Sequence, residues 1–125
     1  MEKQLNRRER QIMDIIYAHS EATASQITVE LPDPPCQAAV RTMIRILEAR
    51  GHIKHYQRGR EFVYQPTAPR EKAADKALNR VLNVFFGGSF EEAVAAHLAG
   101  HAGEMSAGQL KRLSALIRKA KERGK

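Results

Sequence analysis

One cysteine, Cys36, and no tryptophan occur in 125 residues. A lone thiol excludes an intrachain disulfide and a multi-cysteine metal site. No apolar run approaches the roughly 18 residues of a membrane helix, and the opening MEKQLNRRER has no signal-peptide apolar segment. A soluble cytoplasmic chain without membrane insertion is therefore expected. Acidic residues are also scarce, 14 against 21 Lys and Arg, for a net charge of +7. That balance favours polyanionic partners such as DNA, RNA or an acidic membrane surface. Gly-rich phosphate loops, nucleophile elbows and HExxH segments are missing. No catalytic residue, metal or cofactor is expected, and the chain reads as a non-enzyme.

The organising stretch runs from Cys36 to Pro66. Val40, Met43, Ile44 and Leu47 recur at i, i+3, i+4 and i+7, one buried stripe of a helix. Ala38, Arg41, Thr42, Arg45 and Ala49 lie opposite, a face short-chained except for two arginines able to reach phosphates or guanine edges. Gly51 stops the helix. Ile53–Gln57 and Glu61–Gln65 then read as strands around an Arg58-Gly59-Arg60 loop, with Phe62 and Tyr64 on one face, able to pack back on the helix. Helix, glycine stop, strand, basic turn, strand is the layout of a winged helix-turn-helix. Between Arg41 and Arg60 six Lys or Arg stand against the single acid Glu48, and the last fifteen residues hold seven against Glu122.

Upstream, Asn6 and Glu9 form a capping box for a first helix to about His19, with Ile12, Met13, Ile16 and Tyr17 as its stripe. Ser20–Ala22 read as a connection, and Thr23 with Gln26 caps a short second helix burying Ile27 and Leu31. Pro32-Asp33-Pro34-Pro35 forbids helix continuation. Downstream, Gln65–Pro69 reads as a domain boundary, dividing the chain into a winged-helix domain (1–68) and a three-helix domain (69–125). The fold class is mainly α with a small β-hairpin. Helices are expected from Arg70 to Phe86, from a Ser89 cap, and from a Ser106–Gln109 capping box. Their apolar positions include Leu78, Val81, Leu82, Phe85, Phe86, Leu98, Leu110, Leu113, Leu116 and Ile117. Three such helices are too small to enclose a core alone, so a homodimer is expected to bury them, the alternative being a monomer in which their stripes pack onto the N-terminal domain. A two-fold dimer also suits a palindromic operator.

Some residues invite sharper readings. His52 and His55 read as exposed groups that contact phosphate when protonated. His97 and His101 have an i, i+4 chelating spacing, but Gly100 and Gly103 weaken that helix, and a structural or solvent-facing role is expected. Cys36 lies where a redox switch could act, although lone thiols are usually inert.

LNRRERQIMDIIY, AVRTMIRILEARGHIKH, GREFVYQP and LNRVLNVFFGGSFEEAV, in this order and spacing, resemble the penicillinase-repressor (BlaI/MecI/CopY) family. The resemblance implies a winged-helix domain, a helical dimerisation domain and repression by occupancy of a double-stranded DNA operator. It also implies release by cleavage of the repressor, downstream of a cognate membrane sensor metalloprotease. It sets the recognition helix at Gln37–Leu47, with Gln37, Ala38, Arg41, Thr42 and Arg45 at the DNA. Lys54, His55, Arg58 and Arg60 of the wing region join them. Ala38 and Ala39 stand where several relatives carry polar residues. The cleavage segment falls on Val94, Ala95, Ala96, His97 and Leu98, without the asparagine-phenylalanine pair of well-known members. A single cysteine argues against the copper-responsive branch. The rival reading is a winged-helix interaction module that binds protein or RNA instead of an operator.

Overall fold

Asn6 and Glu9 start the first helix by exchanging hydrogen bonds. The Asn6 side chain accepts from the Glu9 amide at 2.8 Å, and the Glu9 carboxylate accepts from the Asn6 amide at 2.9 Å. This satisfies two of the amides that a helix start leaves without partners. The structure, a computed structural model, describes residues 5–124. MEKQ, which begins the stretch read as lacking a leader, and Lys125 of the C-terminal basic cluster lie outside the described residues.

The chain order is α1 (Arg7–His19), β1 (Ala22–Thr23), α2 (Ala24–Glu30), α3 (Gln37–Ala49), β2 (Ile53–Arg58), β3 (Glu61–Pro66), α4 (Arg70–Phe85), α5 (Phe90–His101), a 3-10 turn (Ala102–Glu104) and α6 (Ala107–Arg123). The three strands form an antiparallel sheet in the order β1-β3-β2. Strand β1 is a finding, because Ala22 belongs to the stretch read as plain connection. Only two residues pair, Ala22 with Tyr64 and Thr23 with Val63, too few to leave an alternating pattern.

Ile12, Met13 and Ile16 of α1, Ile27 of α2, Leu31, Val40, Ile44 and Leu47 of α3, and Ile53 of β2 form one buried cluster. Each fully buried aliphatic side chain contributes about 1.5–3 kcal/mol before entropy is counted. Tyr17 and Met43 sit at its margin, partly buried. On β3 the fully buried residue is Val63, whereas Phe62, on the opposite face, is 47% exposed and Tyr64 is half-buried.

The hairpin is tighter than the three-residue loop expected. Arg58 pairs with Glu61, so the loop is Gly59-Arg60 alone and Arg58 belongs to β2. Gly59 has φ 65° at the first loop position, which a two-residue type II′ turn reserves for glycine. At the end of α3, Gly51 has φ 84°, so the helix stops where expected.

Two polar ties hold the helices in place. Arg8 donates to the Pro32 and Asp33 carbonyls, both at 2.6 Å, fixing the turn between α2 and α3 onto α1. The Glu9 carboxylate, 4% exposed as a residue, also accepts from Arg50 Nη1 at 2.9 Å. Beyond the sheet, Thr67 donates its hydroxyl to the Gly51 carbonyl at 2.6 Å, and Arg70 donates to the Tyr17 carbonyl at 2.5 Å. The compact N-terminal unit thereby continues to Lys76, within α4, past the Gln65–Pro69 stretch.

The second unit starts at Ala77. Its helices begin as read from sequence: Ser89 accepts from the Glu92 amide at 3.1 Å, and Ser106 and Gln109 form a reciprocal cap. Among its described residues only Leu82 is buried, at 7% exposure. Phe85, Leu116 and Ile117 are 74%, 63% and 58% exposed. Leu78, Phe86, Phe90, Val94, Leu98 and Leu113 border an apolar cleft of about 550 Å³.

Removing Arg50 would leave the Glu9 carboxylate buried without its counter-charge. Loss of one partner from a buried pair costs about 3–5 kcal/mol; here Arg50 keeps 26% side-chain exposure and the Asn6 amide remains. Arg50→Ala is expected to cost ~2–3 kcal/mol, read from the urea midpoint. An unchanged midpoint would refute a structural role for the pair.

Candidate nucleic-acid interface

The outer face of α3 follows from its buried stripe: with Val40, Ile44 and Leu47 inward, Gln37, Ala38, Arg41, Thr42 and Arg45 are exposed. Two of these are engaged locally. Gln37 Nε2 donates to Ser25 Oγ at 3.3 Å, and the Thr42 hydroxyl donates to the Ala38 carbonyl at 3.1 Å. Arg41 and Arg45 enter no ion pair among the described residues. One turn further along the same face stands Glu48, the lone acid of the basic stretch.

Arg41, Arg45 and Glu48 form one wall of a groove of about 490 Å³, and His55, Arg60 and Phe62 of the hairpin line it too. Strand alternation assigns the hairpin residues to faces. Ile53, His55 and Gln57 of β2 share the face of Phe62 and Tyr64, whereas Lys54, Tyr56 and Arg58 occupy the other. Of the nine sequence-derived DNA contacts, Arg41, Arg45, His55 and Arg60 therefore gather at the groove. Lys54 and Arg58 do not line it.

His55 is tied to α3. Its Nδ1 hydrogen-bonds the Glu48 carboxylate, and its ring lies 4.5 Å from that of Phe62 and 5.8 Å from that of Tyr64. Tyr64 also packs against the buried core, whereas Phe62, 47% exposed, meets the histidine ring. Arg58 pairs with Glu21 at 3.1 Å. Sequence reasoning missed Glu21 and Glu48. For Glu48 a signal existed, since Arg41, Arg45 and Glu48 fall at i, i+4 and i+7. For Glu21 there was none, because its partners lie 35 to 44 residues away.

The other candidates stay apart from this groove. Cys36 occupies the α3 N-cap, exposed, and its side chain makes no cap hydrogen bond. The His97 and His101 rings stack at 4.2 Å, and His101 Nδ1 donates to the His97 carbonyl at 2.9 Å. Among the described residues no group of three or more His, Cys, Asp or Glu is arranged to hold a metal ion. No helix there is long and apolar enough to cross a membrane.

All three tyrosines titrate above their ordinary value of 10.0. Burial raises Tyr17 against the charge of Lys76. Donation to Glu21 raises Tyr56, aided by burial and the Glu21 charge and opposed by Arg58. Burial raises Tyr64, with Glu48 adding to it and Arg41 and Arg45 opposing. Because the folded values are raised, this stabilisation is fully present below pH 10 and is lost as pH climbs through the folded values. Absorbance near 295 nm should show tyrosinate forming at higher pH in the native protein than in urea, and the urea midpoint should fall over that window. Coincident titrations would contradict these environments.

The family model of the penicillinase repressor matches residues 5–119. The penicillinase repressor of Bacillus licheniformis is 24% identical over 124 residues, covering 98% of this chain and 95% of that protein. Among solved structures, the DNA-binding domain of the repressor BlaI is 29% identical, with 55% of this chain and 89% of that chain covered, at a TM-score of 0.49. A MepR-like protein complexed with pseudoligands is 15% identical over 93% of this chain and 73% of its own, at a TM-score of 0.51, a likeness of fold alone. With the family match spanning nearly the whole chain and a winged-helix unit carrying a basic groove, the chain belongs to the penicillinase-repressor family and is a DNA-binding transcriptional repressor, not an enzyme.

Proposed function

We propose that the chain acts as a homodimer occupying a palindromic operator, with α3 in the major groove and the Gly59-Arg60 turn against the flanking backbone. The observation that carries this reading is the convergence of Arg41, Arg45 and Arg60 on one groove beside the small exposed side chains Ala38 and Thr42. Short side chains let a helix backbone approach base edges closely, and an arginine can then pair bidentately with guanine. Residues 1–68 supply the DNA contacts in this reading, and residues 69–125 join two copies.

Dimerisation is supported by what the second unit leaves exposed. A lone copy would keep Phe85, Phe90, Leu116 and Ile117 each more than half exposed. Apolar area of that extent, together with the cleft beside Leu78 and Leu113, suits the same surface of a second copy. Two α3 helices about one DNA turn apart would then read a dyad.

Release is proposed to follow cleavage in residues 94–98, with a membrane sensor metalloprotease upstream. That segment lies inside α5, with Ala95, Ala96 and His97 exposed and Val94 and Leu98 half-buried. Its backbone is helical, so a protease that binds extended chain must first unwind α5. Gly100 in the last turn lowers that cost by about 1 kcal/mol relative to alanine.

Two measurements test the DNA reading. Arg45→Ala should weaken operator binding by ~1–3 kcal/mol and relax preference at one base pair; equal weakening on every sequence would make Arg45 a phosphate contact. Arg60→Ala should reduce the slope of log K against log salt by about 0.9, and an unaltered slope would take the turn off the DNA. For the dimer, Phe85→Asp and Ile117→Asp alter side chains already exposed in one copy, so folding should survive. Sedimentation should find dimeric wild type and monomeric variants, with operator affinity lost in the latter; a monomeric wild type at micromolar concentration would end the model.

A further inference from the structure

Glu21 lies between α1 and β1, and its carboxylate collects three donors from the hairpin. Tyr56 donates its hydroxyl at 2.9 Å, Arg58 its Nη1 at 3.1 Å, and Gln65 its Nε2 at 3.3 Å. Tyr56 and Arg58 lie on β2, the strand farther from β1, and Gln65 lies on the intervening β3. We propose that Glu21 is a positioning residue for DNA binding: it latches the hairpin at its working angle and holds Arg58 away from phosphate, leaving Arg60 as the turn's phosphate-binding cation. This rests on the proposed DNA reading.

The need for a latch follows from the sheet. Among the described residues, the hairpin joins the rest of the sheet only through Ala22 with Tyr64 and Thr23 with Val63. Glu61 and Phe62, nearest the turn, have no β1 partner. A two-residue ladder resists sliding but leaves the tip free to twist, and the tip carries Arg60. Glu21 adds a second attachment that reaches across β3 to β2. On the other hairpin face, His55 and Glu48 tie the same strand to α3. The two carboxylates thus grip β2 from opposite faces.

An ordinary surface ion pair would account for Arg58 alone and would contribute little. It would not account for a neutral phenol and a neutral amide, from two strands, meeting the same carboxylate. Lys54 and Glu61 are the other charged residues on this face by strand alternation, and neither forms an ion pair among the described residues. Arg58, already neutralised, has few counterions to exchange for a phosphate, whereas Arg60 enters no ion pair there.

The test is a double-mutant cycle on the full chain, reading salt slopes on operator and scrambled duplexes. Arg58→Ala alone should leave the slope as in wild type. Glu21→Ala should steepen it by about 0.9, because Arg58 becomes free to meet a phosphate, and should reduce operator preference several-fold. Adding Arg58→Ala to Glu21→Ala should restore the wild-type slope while preference stays low. A shallower slope from Arg58→Ala alone, or wild-type slope and preference in Glu21→Ala, would overturn the proposal. A readout without DNA is the ionisation of Tyr56, whose raised pKa owes most to Glu21. It should move down toward 10.0 in Glu21→Ala, and a Tyr56 that does not move refutes the latch. Wild type failing to bind its operator, with Tyr56 responding, would instead sink the DNA reading and the positioning role resting on it, leaving only the contact.

Discussion

The arrangement of the N-terminal unit depends on one buried carboxylate. Glu9 closes the cap of α1 through the Asn6 amide and meets Arg50 at the far end of α3, 41 residues on. Both placements are electrostatically favourable, a negative group at a helix start and a cation at a helix end. Burying the carboxylate is costly, and only the combination of a charged partner and an amide donor offsets that cost. The pair thereby ties the C-terminal end of α3 to the start of α1 in the observed register. Every side chain presented to the groove inherits its direction from that register.

Acidic residues likewise decide which cations are free. The stretch from Arg41 to Arg60 is rich in positive charge, but Arg50 belongs to Glu9 and Arg58 to Glu21. Glu48 sits within the groove and engages His55. Among the described residues, the cations that face the groove without an ion-pair partner are a smaller set, Arg41, Arg45 and Arg60. Uniform positive charge would attract any polyanion; a few cations held at defined places favour particular geometries.

The two units contrast in how they are stabilised. The first closes a core of large aliphatic residues from three helices and a strand. The second has well-capped helices but buries only Leu82 among its described residues. Helix caps contribute about 1 kcal/mol each, less than the burial a domain of that size needs. Under the proposed dimer, association adds a stabilisation to it that depends on protein concentration. A repressor built this way couples operator affinity to the integrity of its C-terminal helices.

Helix positions, caps, the buried stripes of the N-terminal unit and the Gly51 stop were readable from residue order, because each depends on contacts within a few positions along the chain. The basic face of α3 was readable for the same reason, since helical periodicity places Arg41 and Arg45 opposite Val40, Ile44 and Leu47. Strand β1 was not, because two paired residues carry no period. The loop length was misread because nothing local distinguishes Arg58 as the last paired residue of β2 from the first residue of a turn. The sequence by itself therefore determined the helices, their polar and apolar faces and the family. Only the tertiary structure decided which charges are spent inside the fold and which remain free. Those pairings, Glu9 with Arg50 and Glu21 with Arg58, join residues 41 and 37 positions apart, and such distances close only after the core has packed.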